Sequence, residues 1–341
     1  MRVLVTGGAG FIGSHTVVKL IEAGHEPIIV DSFINSSPVV IDRIEQITGR
    51  RPSLHAIDLT DRGDTDRAVS EAAPDAVIHF AGLKAVGESV SEPLRYYRNN
   101  IVSTLNLVDA MESAGVRRLV FSSSATVYGD RRVPPFREDA DLLEATNPYG
   151  QTKVMIERIL SDLSRAAANW DIALLRYFNP VGAHPSGLIG ENPRGIPNNI
   201  APYITQVAVG RLPELSVYGG DYATADGTGA RDYIHVQDLA DGHITALTTL
   251  DQARGLRIWN LGTGVATTVL ELVDAFERAS GTKIPYTIIE RRAGDIASAW
   301  ADPTLAQEQM GWSARLTLDD MARDAWHWQQ LNPHGFDAPS S

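Results

Sequence analysis

The chain has 341 residues, 43% hydrophobic and 21% charged, an ordinary globular composition with length for one large domain or two modest ones. A net charge of -12 argues against nucleic acid or an anionic membrane as partner, while local arginines still leave a phosphorylated substrate open. The absence of cysteine excludes disulfides, thiolate catalysis and cysteine-ligated metals.

Met1 to Val5 runs straight into a strand, with no signal peptide and no apolar run able to span a bilayer, so a cytoplasmic protein is expected. Short apolar runs then alternate with amphipathic stretches, the pattern of repeated β-α units. Strands are predicted at Arg2–Val5, Ile28–Val30, Ser53–Ile57, Ala76–Phe80, Arg118–Ser122 and Ile172–Tyr177. Helices are predicted at about Phe11–Ala23, Asp64–Ala72, Leu94–Ala114 and Tyr149–Ala167, the last with Asn147 as cap and Pro148 at its start. The fold class is therefore α/β: a Rossmann-type doubly wound parallel sheet over residues 1–180. From about Pro180 the chain turns rich in Gly, Pro and Asn, and residues 181–341 read as a smaller, loop-rich α/β substrate domain facing a cleft. Arg231–Val236 and Ile258–Leu261 look like strands able to return to the first domain. A tail helix is expected near Leu316–Gln330, and Asp337–Ser341 as a frayed end.

Gly8-x-Gly10-x-x-Gly13, within Thr6-Gly7-Gly8-Ala9-Gly10-Phe11-Ile12-Gly13, follows a strand and opens a helix. That context turns a weak glycine pattern into a dinucleotide-binding loop: glycines let the backbone approach a pyrophosphate and the helix N-terminus faces its charge. Asp31, ending the second strand, would accept from ribose hydroxyls and repel a 2′-phosphate, which favours NAD over NADP. Asp58, ending the third, could hold the adenine amino group or simply sit in a surface turn. Tyr149 and Lys153, four apart on one helix, share a face. An ammonium beside a phenol favours the phenolate, so this tyrosine is expected to take a proton from a sugar hydroxyl while a nicotinamide takes the hydride. His79, in an apolar strand, reads as a packed histidine. No cluster of His, Asp and Glu suggests a metal.

Longer motifs carry a sharper resemblance: His79-Phe80-Ala81-Gly82-Leu83-Lys84-Ala85-Val86-Gly87-Glu88-Ser89, Ser122-Ser123-Ser124-Ala125-Thr126-Val127-Tyr128-Gly129, Leu175-Arg176-Tyr177-Phe178-Asn179-Pro180-Val181-Gly182-Ala183 and Gly227-Thr228-Gly229-Ala230-Arg231-Asp232-Tyr233-Ile234-His235-Val236. On these, over nearly its whole length, the chain resembles the UDP-glucose 4-epimerase branch of the extended short-chain dehydrogenase/reductase family. The resemblance implies a catalytic group of Ser124, Tyr149 and Lys153. It implies NAD contacts at Gly7, Gly10, Phe11, Ile12, Gly13, Asp31, Asn35, Ser36, Asp58, Leu59, Phe80, Ala81, Gly82, Lys84, Asn99, Tyr149, Lys153 and Phe178. UDP-sugar contacts fall on Ser124, Tyr149, Asn179, Asn199, Ile200, Ser216, Tyr218, Arg231, Arg292, Asp295 and Ala299. Two arginines far apart in sequence suit a diphosphate, and Asp295 suits a ribose diol.

The implied reaction interconverts UDP-galactose and UDP-glucose through a transient 4-keto sugar and enzyme-bound NADH. A 4,6-dehydratase is the nearest rival, but it would carry an Asp-Glu pair where Ala125 and Thr126 stand; a UDP-glucuronate decarboxylase or epimerase fits the long motifs less well. A non-catalytic NAD-sensing protein would be expected to lack the tyrosine or the lysine. Ala299 occupies the position that gates the sugar pocket in this family, and its small size implies that UDP-N-acetylhexosamines are accepted too. The family also implies a homodimer, with the helices near Leu94–Ala114 and Tyr149–Ala167 forming a four-helix bundle across a two-fold axis.

Overall fold

The computed structural model describes residues 1–130, 133–139, 145–167, 169–252, 254–292 and 294–336; the terminal segment Asp337–Ser341, expected to fray, lies outside the described residues. The chain begins β1 (Arg2–Thr6), α1 (Phe11–Glu22), β2 (Glu26–Val30), α2 (Val39–Thr48), β3 (Ser53–His55), α3 (Arg62–Ala72) and β4 (Ala76–His79). There follow α4 (Val86–Ser91), α5 (Pro93–Ser113), β5 (Arg118–Ser124), α6 (Pro148–Ala166) and β6 (Asp171–Tyr177). A seven-stranded sheet runs in the order Leu256–Leu261, β6, β5, β4, β1, β2, β3, and every pairing in it is parallel.

Parallel strands need covered faces, and the residues alternate accordingly. Val3, Val5, Ile29, Ala173 and Leu175 pack to one side, with Val17 and Leu20 of α1 and Leu239 and Leu247 of the helix Val236–Thr249. Leu4, Ile28, Val30, Ile172 and Leu174 pack to the other, with Val69 of α3, Leu107 and Met111 of α5 and Leu160 of α6. Burying both faces makes the fold doubly wound. A third apolar cluster gathers residues from beyond the sheet, including Ile204, Val217, Phe276 and Ala322.

The expected strand Ile258–Leu261 does enter the large sheet, alongside β6. Arg231–Val236 does not. Ala230–Arg231 pairs with Thr267–Thr268 and Ser298–Ala299, and Tyr233–His235 pairs with Asn179–Val181. The cause is Asp232, fully buried between these two short strands, whose carboxylate accepts from Thr263 N, Gly264 N and Ala301 N and pins them to the loops after the sheet. β3 also stops at His55, short of the predicted Ile57.

Candidate active site

Chain reversal between β1 and β4 opens a crevice at the C-terminal edge of the sheet, where α/β folds bind ligands. Gly13 must be glycine here, because a Cβ would run into the backbone of Gly7 and lie 2.8 Å from Gly8 Cα. Gly7 adopts φ +68°, and a Cβ there would approach Ala81 N to 2.8 Å. The loop thus keeps bare backbone facing the N-terminus of α1, a cradle that fits a pyrophosphate. Asp31 is buried at the end of β2: Oδ2 accepts from Ala9 N at 2.9 Å, and Oδ1 from Phe33 N at 2.9 Å and Ser36 Oγ at 2.8 Å. Three donors leave a carboxylate room for a diol. Asp58 is exposed, and its Oδ1 already accepts from the amide and hydroxyl of Thr60.

Asn147 caps α6 through a hydrogen bond from Gly150 N at 2.9 Å, with Pro148 in the first turn, and this sets Tyr149 beside the end of β5. Ser124 lies beside Tyr149 and accepts from Thr126 N at 3.2 Å and from the Thr126 hydroxyl at 3.0 Å. Because its oxygen is already supplied with donors, the Ser124 hydrogen is left to donate. Lys153 is buried, donates to Ser122 O at 2.7 Å, and lies 4.7 Å from the Phe121 ring centre and 5.9 Å from that of Tyr149.

The expected influence of Lys153 on Tyr149 is not the governing one. Burial pushes the Tyr149 phenol up from its ordinary value, and the hydrogen bond to Ser124 pulls it back. The ammonium is spent on a carbonyl and an aromatic face rather than on the phenol. Burial also pulls Lys153 down to about 8, against the pull of Glu157 one helical turn on. His79 is the packed histidine expected, buried between the hydroxyls of Thr6 and Thr104, and burial lowers it to about 3.

On the far wall Arg292 stacks on Tyr218 at 4.2 Å and pairs with Asp295 at 3.5 Å, so three of the expected substrate contacts meet. Arg231 is half-buried and donates to Ala230 O at 2.9 Å. Asn179 donates to Asp232 O, and Ala299 lies opposite Arg231 in strand register, near Phe178. Lys84 and Asn199 meet on Glu191, at 3.1 and 2.6 Å. Sequence reasoning missed Glu191, Thr126 and the buried pair of Glu157 and Arg176. Glu191 precedes Asn192-Pro193 in the loop-rich stretch, Thr126 and Arg176 lie inside motifs already quoted, and Glu157 lies one turn beyond Lys153 on α6.

Residues 3–262 match the model of the NAD dependent epimerase/dehydratase family. The chain belongs to that family. It is 54% identical over 336 residues to UDP-glucose 4-epimerase of Bacillus subtilis, covering 98% of this chain and 99% of that one. It is 53% identical to the human UDP-glucose 4-epimerase over 341 residues, 98% of each. Among solved structures, UDP-glucose 4-epimerase from Bifidobacterium longum in complex with NAD+ and UDP superposes with a TM-score of 0.95 at 52% identity, covering 98% of this chain and all of that one. Ala125 and Thr126, which follow Ser124, offer no carboxylate beside it.

Proposed function

We propose that this chain is a UDP-glucose 4-epimerase, interconverting UDP-galactose and UDP-glucose with no net redox change. The observation that carries the reading is Tyr149, set beside Ser124 at the crevice edge by the capped start of α6, with no acid at 125 or 126 to expel a hydroxyl. Full-length similarity to curated epimerases supports it. Bound NAD supplies a hydride acceptor that gives back what it takes. Tyr149, ionised as the phenolate when NAD and substrate are bound, takes the proton of the sugar 4-hydroxyl and returns it once the sugar has turned over. Ser124 donates to the same oxygen and orients it. Lys153, held by Ser122 O, carries its charge 5.9 Å from the Tyr149 ring centre, and in this reading it holds the nicotinamide ribose. Arg231, Arg292 and Asp295 grip the UDP, so that remote binding energy anchors the substrate while the reacting ring stays free to rotate. In this reading residues 1–180 with 256–261 form the NAD half and the remainder the sugar half.

The small Ala299 leads us to include UDP-N-acetylglucosamine and its galacto epimer among the substrates. Ala299→Tyr should abolish their turnover while sparing UDP-galactose; unchanged turnover would remove the gate. We also place the protein as a homodimer through α5 and α6, because Leu94, Val102 and Leu105 of α5 stand exposed beside α6. Light scattering on the purified protein measures this directly. No helix among the described residues is long and apolar enough to cross a membrane.

Incubating the protein with UDP-galactose and resolving the products by NMR tests the main reading. UDP-glucose at equilibrium supports it. A 4-keto-6-deoxy product would make the chain a dehydratase, and no product even with NAD added would leave binding alone.

A further inference from the structure

Two residues that neither the motifs nor the resemblance assigned reach from the second half of the chain onto the cofactor loop. Arg194 donates Nη1 to Ile34 O at 2.8 Å and Nη2 to Phe33 O and Ser36 O, each at 3.1 Å. Three carbonyls of one short loop are thereby held by one guanidinium, whose planar fork matches several acceptors at once. The same loop is tied on its inner side to Asp31, through Phe33 N and Ser36 Oγ. Phe33 sits at φ +55°, a conformation that a bulky residue holds only when its surroundings fix it. Arg194 and Asp31 are that fixing, one from each side.

Phe336 closes the other rim. A cleft beside the glycine loop is walled by Gly10, Phe11 and Ser36 on one side and by Asn192 and Phe336 on the other. The Phe336 ring lies 4.8 Å from that of Trp328, whose indole N–H donates to Glu191 O at 3.2 Å. The segment carrying it is anchored: Asn332 Nδ2 donates to Gly187 O at 2.9 Å and Arg211 Nη1 to Pro333 O at 3.1 Å. Gly335, at φ +73°, packs so closely on Asn192 that a Cβ would overlap it. The tail is thus pressed onto the 190–194 segment from which Arg194 extends.

We propose that Arg194 and Phe336 are cofactor-retention residues, a clasp that fastens the Phe33–Ser36 loop and covers the cleft beside the glycine loop so that bound dinucleotide leaves slowly. This rests on the reading that the cleft takes NAD. The chemistry gives the clasp a purpose: a reaction without net redox change regenerates its acceptor every cycle, and escape of the cofactor midway would strand an oxidised sugar. Opening the path for exit requires Arg194 to leave three carbonyls and Phe336 to leave Trp328.

The test compares NAD release from the unaltered protein, Arg194→Lys and Phe336→Ala. Each is loaded with NAD, freed of excess by gel filtration, and the released NAD is followed over time. Arg194→Lys keeps the charge and loses the fork. Release at least tenfold faster in both variants, with circular dichroism and the melting temperature of the NAD-free protein unchanged, is the expected result. Release within twofold of the unaltered rate in both overturns the proposal, and acceleration in only one overturns the joint clasp. If Phe336→Ala lowers the NAD-free melting temperature, Phe336→Leu takes its place, keeping an apolar contact with Trp328 and removing the ring. Failure of the unaltered protein to bind NAD at all would sink the functional reading instead.

Discussion

Lys84 and Glu191, 107 positions apart, form an ion pair at 3.1 Å, and the same Glu191 oxygen accepts from Asn199 at 2.6 Å. One carboxylate therefore occupies Lys84, expected to contact NAD, and Asn199, expected to contact the UDP-sugar. Lys84 is 53% exposed, so screening limits the pair to less than about 1 kcal/mol. Glu191→Gln should free the ammonium for the cofactor and lower the Kd for NAD by up to about fivefold. An unchanged or raised Kd for NAD would show that Glu191 does not compete for Lys84.

Glu157 and Arg176 are a second pair of a different kind, both buried almost completely. Arg176 Nε and Nη2 reach the two carboxylate oxygens at 3.0 and 2.8 Å, and Ser123 adds a short hydrogen bond. Nη1 continues to Tyr128 OH, which donates to Asn260. Removing one partner leaves an uncompensated buried charge, so Glu157→Leu should destabilise the NAD-free protein by about 3–5 kcal/mol in urea unfolding. The double change Glu157→Leu with Arg176→Met should recover most of that stability. It should not recover turnover, because Glu157 is the anion that favours the charged form of Lys153. Full recovery of kcat would make the pair purely structural.

Lys153 makes a pH prediction whose direction follows from its burial. Its value of about 8 in the fold lies below the ordinary 10.5. Below pH 8 both folded and unfolded chains hold the proton, and the penalty for burying the charge is fully present. Between pH 8 and 10.5 the unfolded chain binds more protons than the folded one, so stability rises with pH. At about 1.4 kcal/mol per tenfold, the whole interval is worth about 3 kcal/mol. The stability of the unaltered NAD-free protein relative to Lys153→Met should therefore grow by about that amount across this range. A flat difference would mean that Lys153 is solvated rather than buried.

The sheet was legible because its residues alternate: Val3, Leu4 and Val5 send successive side chains to opposite covered faces, a pattern that needs no knowledge of the partners. The glycine loop and the capped start of α6 were legible for the same reason, each being a local signal. The strand at Arg231–Val236 was legible but its pairing was not, since two or three residues carry no period and their partners are fixed by the buried Asp232. α2, at Val39–Thr48, was also missed: its N-terminus has Pro38 and no side-chain hydrogen-bonded cap. The phenol of Tyr149 was misjudged because spacing gives the neighbour and not the burial. Arg194 was invisible because it holds backbone carbonyls up to 161 residues away, which leave no trace in side-chain identity.

Asp31 carries the last prediction. Its carboxylate is fixed by two amides and a hydroxyl at 2.8–2.9 Å, so it cannot swing aside for a 2′-phosphate. A hydrogen bond to a charged group contributes about 1.5–3 kcal/mol, which corresponds to roughly tenfold to a hundredfold in affinity. Asp31→Asn keeps the shape and removes the charge, and should weaken NAD by about that factor. Its effect on NADP should be smaller or opposite, since repulsion of the 2′-phosphate is relieved as the diol contact is lost. Binding of both dinucleotides to the NAD-free variant, measured by calorimetry, gives the ratio directly. An equal loss for the two would mean that Asp31 only braces the loop from Ala9 to Ser36 and takes no part in choosing the cofactor.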